Sequence, residues 1–236
     1  MSYTFNGHDL EDYVVVEAVR RYLLPPVQNV TYRMPGRDGE LHLRAQLGSR
    51  ATEMDVRLIE DNKADLLAAI RTLAGILMTR EPAKLELDED GKYEMAILDG
   101  MTELDEILDT GGTTLRFVSP SPASYGQEQT VSITVDPITN TGTYPAEGVI
   151  TVTFDGSASE LEVKNVTTGE RVYMEHEFVA TDVVVIDLHA ERVTKNGSSI
   201  DADVFLDSDF FEIPVGTFVL TVSDGSGVLV YTDRWL

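Results

Sequence analysis

One stretch of the chain carries apolar residues at helical spacing: Leu66, Leu67, Ile70, Leu73, Ala74, Leu77 and Met78 share a face between Asn62 and Thr79. Asn62 suits an N-cap, Asp65 follows three positions later as in a capping box, and Pro82 lies just past the end. The spacing therefore predicts a helix over 62–79, packed on a sheet, and the charge of Arg71 at its centre excludes a membrane span. Around it the pattern is that of strands, at Tyr13–Tyr22, Val27–Met34, Glu40–Leu47 and Met54–Ile59. Pro25-Pro26 and Pro35-Gly36-Arg37-Asp38-Gly39 punctuate them as turns. After the helix, Lys84–Leu87 and Lys92–Ile97 flank Asp88-Glu89-Asp90-Gly91, whose Asp-Gly step suits a tight hairpin.

From about Pro120 to Tyr144 the texture changes to Ser-Pro-Ser-Pro and Asn-Thr-Gly-Thr, with one short strand at Thr130–Val135. A domain junction belongs there, which divides the chain into 1–140 and 141–236. Short apolar segments then follow at regular intervals: Val149–Phe154, Glu160–Val163, Arg171–Met174, Val183–Asp187, Arg192–Thr194, Asp203–Leu206, Phe218–Val222 and Val228–Thr232. Segments so short and evenly spaced, separated by turns such as Thr167-Thr168-Gly169, Asn196-Gly197 and Asp224-Gly225-Ser226-Gly227, predict a β-sandwich. The fold class is mainly β: an N-terminal β-sandwich with one α-helix, then a second β-sandwich.

Length agrees with two domains, since 236 residues allow each half its own core. The chain has no cysteine, which excludes disulfides, thiolate metal sites and thiol nucleophiles. Met1–Tyr13 lacks the basic and apolar regions of a secretory signal, so synthesis and folding in a cytoplasm are expected. With 41 acidic and 18 basic residues the net charge is -23, which opposes adsorption to nucleic acid or anionic membranes. Through Tyr125 there are 13 basic and 22 acidic residues, a net of -9; the remainder has 5 and 19, a net of -14.

Candidate chemistry is sparse. Among so many acids, paired carboxylates arise at any spacing and carry no signal. Asp201-x-Asp203 and Asp207-x-Asp209 offer oxygens to calcium but lack the glycine and terminal glutamate of an EF-hand loop. His8, His42, His176 and His189 show no metal-ligand spacing, and neither a Gly-x-Ser-x-Gly elbow nor a phosphate loop occurs. No catalytic, cofactor-binding or metal-binding residue is assigned, and no enzyme activity or cofactor is expected. Tyr144, Tyr173, Phe178 and Trp235 could form an aromatic platform for sugar, although their alternation with polar residues suits core positions better.

Several motifs stand in a telling order along the chain. In the first half these are Thr4-Phe5-Asn6-Gly7, the Pro35–Gly39 turn, the helix and the hairpin after it. In the second they are Tyr144-Pro145-Ala146, Leu161–Asn165 with Thr168-Gly169-Glu170, Val185-Ile186-Asp187, Val193–Gly197, Pro214-Val215-Gly216 and Tyr231–Leu236. Taken together, they resemble the distal tail protein (Dit) family of long, flexible-tailed phages. The resemblance implies a hexameric ring formed by the N-terminal domain, with a galectin-like C-terminal sandwich projecting outward. Such a ring joins the tail tube protein to the tail-associated hub or lysin protein and lets DNA pass, in the virion tail tip. It implies no enzyme activity, no specific nucleic-acid binding and no membrane insertion. The His-x-Asn-x-Arg strand of true galectins is absent, so docking of receptor-binding or other baseplate proteins is the expected use of the C-terminal domain.

A head-to-tail ring needs two different complementary faces on each subunit. Pro35, Gly36, Arg37, Asp38 and Gly39 are the interface candidates, because the glycines allow close backbone approach and Arg37 can pair with an acid on a neighbour. A solvated hairpin turn is the competing reading. Asp88, Glu89, Asp90, Glu103, Asp105 and Glu106 are candidates for an electronegative channel wall. The runner-up function is binding of a host cell-surface polysaccharide by the second domain.

Overall fold

A computed structural model of the chain describes residues 3–87, 91–100, 102–107 and 110–236. Asp88, Glu89 and Asp90, at the Asp-Gly hairpin, and the side chains of Asp105 and Glu106 lie outside the described residues. The protein is mainly β, and it divides into one unit of Met1–Tyr125 with Leu236 and a second of Gly126–Trp235.

In the first unit the elements run β1 (Thr4–Phe5), β2 (His8–Asp9), β3 (Val15–Arg21), β4 (Val27–Tyr32), β5 (Leu41–Leu47), β6 (Arg50–Ile59), α1 (Lys63–Leu77), β7 (Ala83–Glu86), β8 (Tyr93–Leu98), β9 (Asp105–Ile107) and β10 (Thr110–Ser119). Asn6 and Gly7 both have positive φ and close the two-residue loop between β1 and β2, the conformation that an Asn-Gly step favours. Antiparallel pairing links β3 to β6, β6 to β10, β10 to β8, β8 to β7 and β7 to β1. Strand β6 alternates strictly, sending Thr52, Met54, Val56 and Leu58 inward. These meet Phe5, Leu85, Ala96, Leu115 and Phe117 in one core, capped by Leu66, Leu73 and Leu77 of α1. Phe5 and Phe117 pack ring to ring at 4.9 Å.

Helix α1 starts where the pattern predicts it. Asn62 Oδ1 accepts from the amides of Ala64 and Asp65, each at 3.0 Å. The helix stops at Leu77, so Met78 falls at the C-cap and is exposed; Ala74 is also exposed, and Ile76 is buried in their place. The face is therefore narrower at its C-terminal end than the apolar count suggests.

Strand β11 (Ser124–Ile133) carries the chain into the second unit, whose elements are β12 (Ile138–Asn140), β13 (Gly148–Thr153), β14 (Ala158–Asn165), β15 (Arg171–Phe178), β16 (Val183–Asp187), β17 (Arg192–Lys195), β18 (Ser198–Ser199), β19 (Gly216–Phe218), β20 (Leu220–Val222) and β21 (Ser226–Trp235). The junction lies ahead of the 140/141 division that composition suggests, because β12 pairs with β19 and Tyr231 Oη donates to the carbonyl of Thr139. One sheet runs β18-β17-β16-β13-β21-β11 and another β15-β14-β20. Both contribute to a core that includes Ile150, Val152, Leu161, Val163, Val184, Ile186 and Leu229, with Phe154 stacked on Phe178 at 4.3 Å.

Two predicted strands differ. Residues Asp203–Leu206 are not a strand: a 3-10 turn spans Asp201–Asp203, fixed by the Asp201 carboxylate, which accepts from Val193 N at 2.6 Å and from Ser199 Oγ at 2.8 Å. Residues Phe218–Val222 break at Val219, because β19 joins β12 and β20 joins β14 in a different sheet.

Candidate interaction surface

Among the described residues, strands β4 and β5 pair only with each other, so the outer edge of each presents unpaired backbone groups. Gly48 N donates to the carbonyl of Pro26 at 2.8 Å and closes the base of this arm. Six residue pairs run from Val27↔Leu47 to Tyr32↔Leu41, with a bulge between Val30 and Thr31. A two-stranded hairpin is at best marginally stable alone in water. Here the hairpin bears Val27, Tyr32, Met34, Leu41 and Leu43 in the open and the segment leading into it bears Tyr22, Leu23 and Leu24, together eight of the 18 exposed large apolar side chains described, all within 22 residues. Leu23 is 91% exposed and Leu43 57%. Single exposed apolar residues are ordinary; a cluster of this kind marks a contact surface.

The five residues singled out from the sequence sit together at the far end of this arm. Pro35, Gly36, Arg37, Asp38 and Gly39 form its connecting loop and all are exposed. Gly36 and Gly39 have φ of 78° and 83°, which side chains resist, so the loop needs glycine at both. Arg37 N donates to the carbonyl of Met34 at 3.3 Å. Among the described residues, the guanidinium groups of Arg33, Arg37 and Arg44 have no carboxylate partner. The arginines on the neighbouring sheet differ: Arg20 pairs with Asp55, Arg57 with Glu17 and Arg116 with Asp99. Residues 22–47 hold three arginines against Asp38 and Glu40, a net of +1 in a chain of -23.

A second apolar feature of this unit is concave. Between the C-terminal half of α1 and the sheet lies a groove of ≈ 710 Å³, lined among others by Leu58, Ile70, Leu77, Met78, Leu98 and Leu104. Met78 at its lip is 75% exposed. Glu103, between the lining residues Thr102 and Leu104, lines a separate polar depression with Glu17 and Asp55 instead. Sequence reasoning missed the groove and the flanking Tyr22–Leu24; the Leu23-Leu24-Pro25-Pro26 run was their only signal.

In the second unit, the polar groups that invite a chemical reading are engaged in structure. Asp203 pairs with His176 at 2.8 Å, and Asp207 pairs with Arg171 at 3.1 Å, as does Glu162 at 2.8 Å. The Asp182 carboxylate accepts from Val179 N at 2.9 Å, Lys195 at 2.9 Å and Asn196 at 2.8 Å, which together depress its pKa to about 2. Tyr173 donates its hydroxyl to Glu160 at 2.7 Å, which pushes its pKa up to about 12. Of the four aromatics considered for sugar, Phe178 is buried in the core and Tyr144 lies under the Arg234 guanidinium. Trp235 packs where a Cβ on Gly126 would come within 2.5 Å of its ring, and Tyr173 leans on Phe205 instead. Among the described residues no three His, Cys, Asp or Glu side chains gather to hold a metal, and no helix is long and apolar enough to cross a membrane.

Two family models match successive parts of the chain. A phage tail protein RIFT-related domain matches residues 8–119, and the C-terminal domain of a siphovirus-type tail component matches residues 141–235. The distal tail protein of Bacillus phage SPP1 is 27% identical over 244 residues, covering 98% of this chain and 94% of that one. The crystal structure of SPP1 Dit, described as a paradigm of the hub adsorption apparatus in phages infecting Gram-positive hosts, has a TM-score of 0.86 at 24% identity. That alignment covers 100% of this chain and 99% of the other. The phage p2 baseplate in its activated conformation gives a TM-score of 0.48 at 8% identity over 95% and 92% of the two chains.

Proposed function

The chain belongs to the distal tail (Dit) protein family, and from this premise we propose that it assembles as a hexameric ring at the tip of a phage tail. It is a structural protein of the tail and baseplate. The observation that carries the ring reading is the end-to-end match to the SPP1 distal tail protein, with 98% of one chain and 94% of the other aligned. In the proposed ring the first unit supplies the subunit contacts, with the Pro35–Gly39 loop and Arg37 among them. One side of the ring meets the tail tube protein and the other the tail-associated hub or lysin protein. The second unit, a galectin-like sandwich, docks receptor-binding or other baseplate proteins. DNA passes through the centre without adhering, as the net charge of -23 favours.

Size-exclusion chromatography with light scattering, followed by negative-stain imaging, tests this reading. A six-fold annulus with an open centre is expected. A protein that stays a single chain at high concentration and does not bind the neighbouring tail proteins would overturn it. Arg37→Glu is expected to lower the apparent mass; an unchanged ring removes Arg37 from the interface.

A further inference from the structure

We propose that Phe205 and Leu206, at the tip of the loop between the Asp201–Asp203 turn and β19, form a knob by which the second unit enters an apolar pocket rimmed with arginine or lysine on another baseplate protein. This inference rests on the docking role proposed above for the second unit and names the surface that would perform it.

Leu206 is 106% exposed and Phe205 42%, so neither is placed by burial in the core. The backbone that carries them is nevertheless fixed. Phe205 N donates to the carbonyl of Tyr173 at 3.0 Å, Ser208 N to the carbonyl of Phe205 at 3.0 Å, and Asp209 N to the carbonyl of Arg171 at 2.8 Å. Ser208 Oγ accepts from Tyr173 N and donates to the Tyr173 carbonyl, each at 3.0 Å, and the Phe205 ring leans on that of Tyr173 at 4.9 Å. The loop thus caps the edge of β15 opposite β14, as a covered sheet edge requires. Capping alone needs only backbone groups and Ser208, and it leaves the apolar side chains of the tip unexplained. A tip already ordered loses less entropy on binding, and apolar or aromatic anchors that fill a pocket carry most of the energy of an interface.

Charge selects the rim of that pocket. Residues 201–212 hold Asp201, Asp203, Asp207, Asp209 and Glu212 and no basic residue, a net of -5. Beside Tyr173, Glu160 and Glu175 stand directly opposite each other on β14 and β15, and both are exposed. Like charges so placed weaken a sheet. The Tyr173 hydroxyl lies 2.7 Å from one and 3.2 Å from the other, and its single proton serves one at a time. A guanidinium or ammonium brought by a partner relieves that opposition. The second unit of another copy is a poor source: of its five cations, Arg171, Arg192, Lys195 and Arg234 are already paired with acids of their own chain. The partner is therefore a different chain with positive charge around an apolar hollow.

The test uses the whole chain, with the receptor-binding protein and the other baseplate proteins of the same phage each purified and measured by biolayer interferometry. Leu206→Ser is expected to keep the wild-type unfolding midpoint, since the side chain is fully exposed, and to weaken partner binding about tenfold or more. Val135→Ser, at an apolar residue 84% exposed elsewhere in the unit, is expected to leave affinity unchanged. Glu160→Gln/Glu175→Gln is expected to lower affinity and to flatten its dependence on salt, because the charge that salt screens has been removed. Equal affinity of Leu206→Ser and wild type overturns the knob and leaves the docking reading standing; a wild-type affinity indifferent to salt overturns the basic rim. A fall in the mass of the free protein on Leu206→Ser, seen by light scattering, assigns the tip to contacts between copies and also overturns the proposal. A wild-type protein that binds none of these baseplate proteins overturns the docking reading and this one with it.

Discussion

Removing one member of the Arg50–Glu94 pair is expected to cost the first unit far more than removing both, and the two single changes are expected to differ from each other. The pair is 3.4 Å apart with side chains only 10% and 9% exposed, and Arg50 also donates to Ser124 Oγ at 3.0 Å. Burial pushes the Glu94 carboxyl above its usual pKa, while Arg50 and then Arg21 pull it back. Glu94→Gln strands a guanidinium that cannot lose its charge, so the cost is about 3 kcal/mol, the lower end for breaking a buried pair. For a unit of this size that corresponds to a fall of roughly 10 °C in unfolding midpoint. Arg50→Met strands a carboxylate that can take up a proton, with Arg21 still nearby, so its cost is smaller at pH 5 than at pH 8. The sign follows from linkage: a folded-state pKa raised above the unfolded value means the folded state binds the extra proton, so stability grows as pH falls between the two. Arg50→Met/Glu94→Leu is expected within about 1 kcal/mol of wild type, since a packed apolar pair replaces a desolvated ionic one. Urea and thermal unfolding at both pH values measure all three variants. A Glu94→Gln protein within about 0.5 kcal/mol of wild type, or an Arg50→Met deficit that ignores pH, would refute the argument.

Three smaller tests probe the rest of the scaffold. Asn62→Ala deletes the acceptor for two amides at the start of α1 and should cost about 1 kcal/mol in urea unfolding; a neutral result would mean that solvent caps the helix as well. Gly142→Ala would place a Cβ 2.3 Å from the Arg234 carbonyl, which itself accepts from Thr143 N and Tyr144 N, so a loss of about 1–3 kcal/mol is expected by calorimetry. Asp182, with a folded pKa of about 2, stabilises the second unit above the normal aspartate range and loses that contribution as pH falls through 2; Asp182→Asn should flatten the fall in unfolding midpoint between pH 5 and pH 2.

Much of the fold is legible where local chemistry and tertiary context agree. The N-cap at Asn62, the Asn196-Gly197 turn with both φ positive, and the inward alternation of β6 follow from a few neighbouring residues. Strand β10 is not legible in the pattern, since Gly111-Gly112 interrupts its alternation; in the fold a Cβ on Gly111 would lie 3.0 Å from Leu104, and the small residue makes room for it. The division of β19 from β20 was equally hidden, since only the choice of different partner sheets separates them. Pairing partners are a property of the whole chain, and hydrophobic pattern does not name them. The arm shows the same limit. Its strands were read to within two residues, yet nothing in their alternation says that β4 and β5 would leave the sheet of β3 and β6 and stand as a separate pair.

Where a chain breaks the rules of a solvated monomer, the break points to what the monomer lacks. In the second unit the candidate ligands obey them, being spent on each other, as Asp182, His176 and Arg171 show. In the first unit the outer face of β3 and β6 also obeys, with Arg20 and Arg57 each paired to an acid. In the arm, exposed leucines, unpaired strand edges and, among the described residues, arginines without carboxylates occur together. Each alone would be unremarkable on a surface. Their coincidence is costly for a free chain, in aggregation risk and in the weak stability of a lone hairpin. It ceases to be costly once another molecule covers the arm. Two molecules that each carry a charge of -23 repel at a distance, and the arm, with a net of +1 over residues 22–47, is a segment of the first unit where that repulsion is locally relieved.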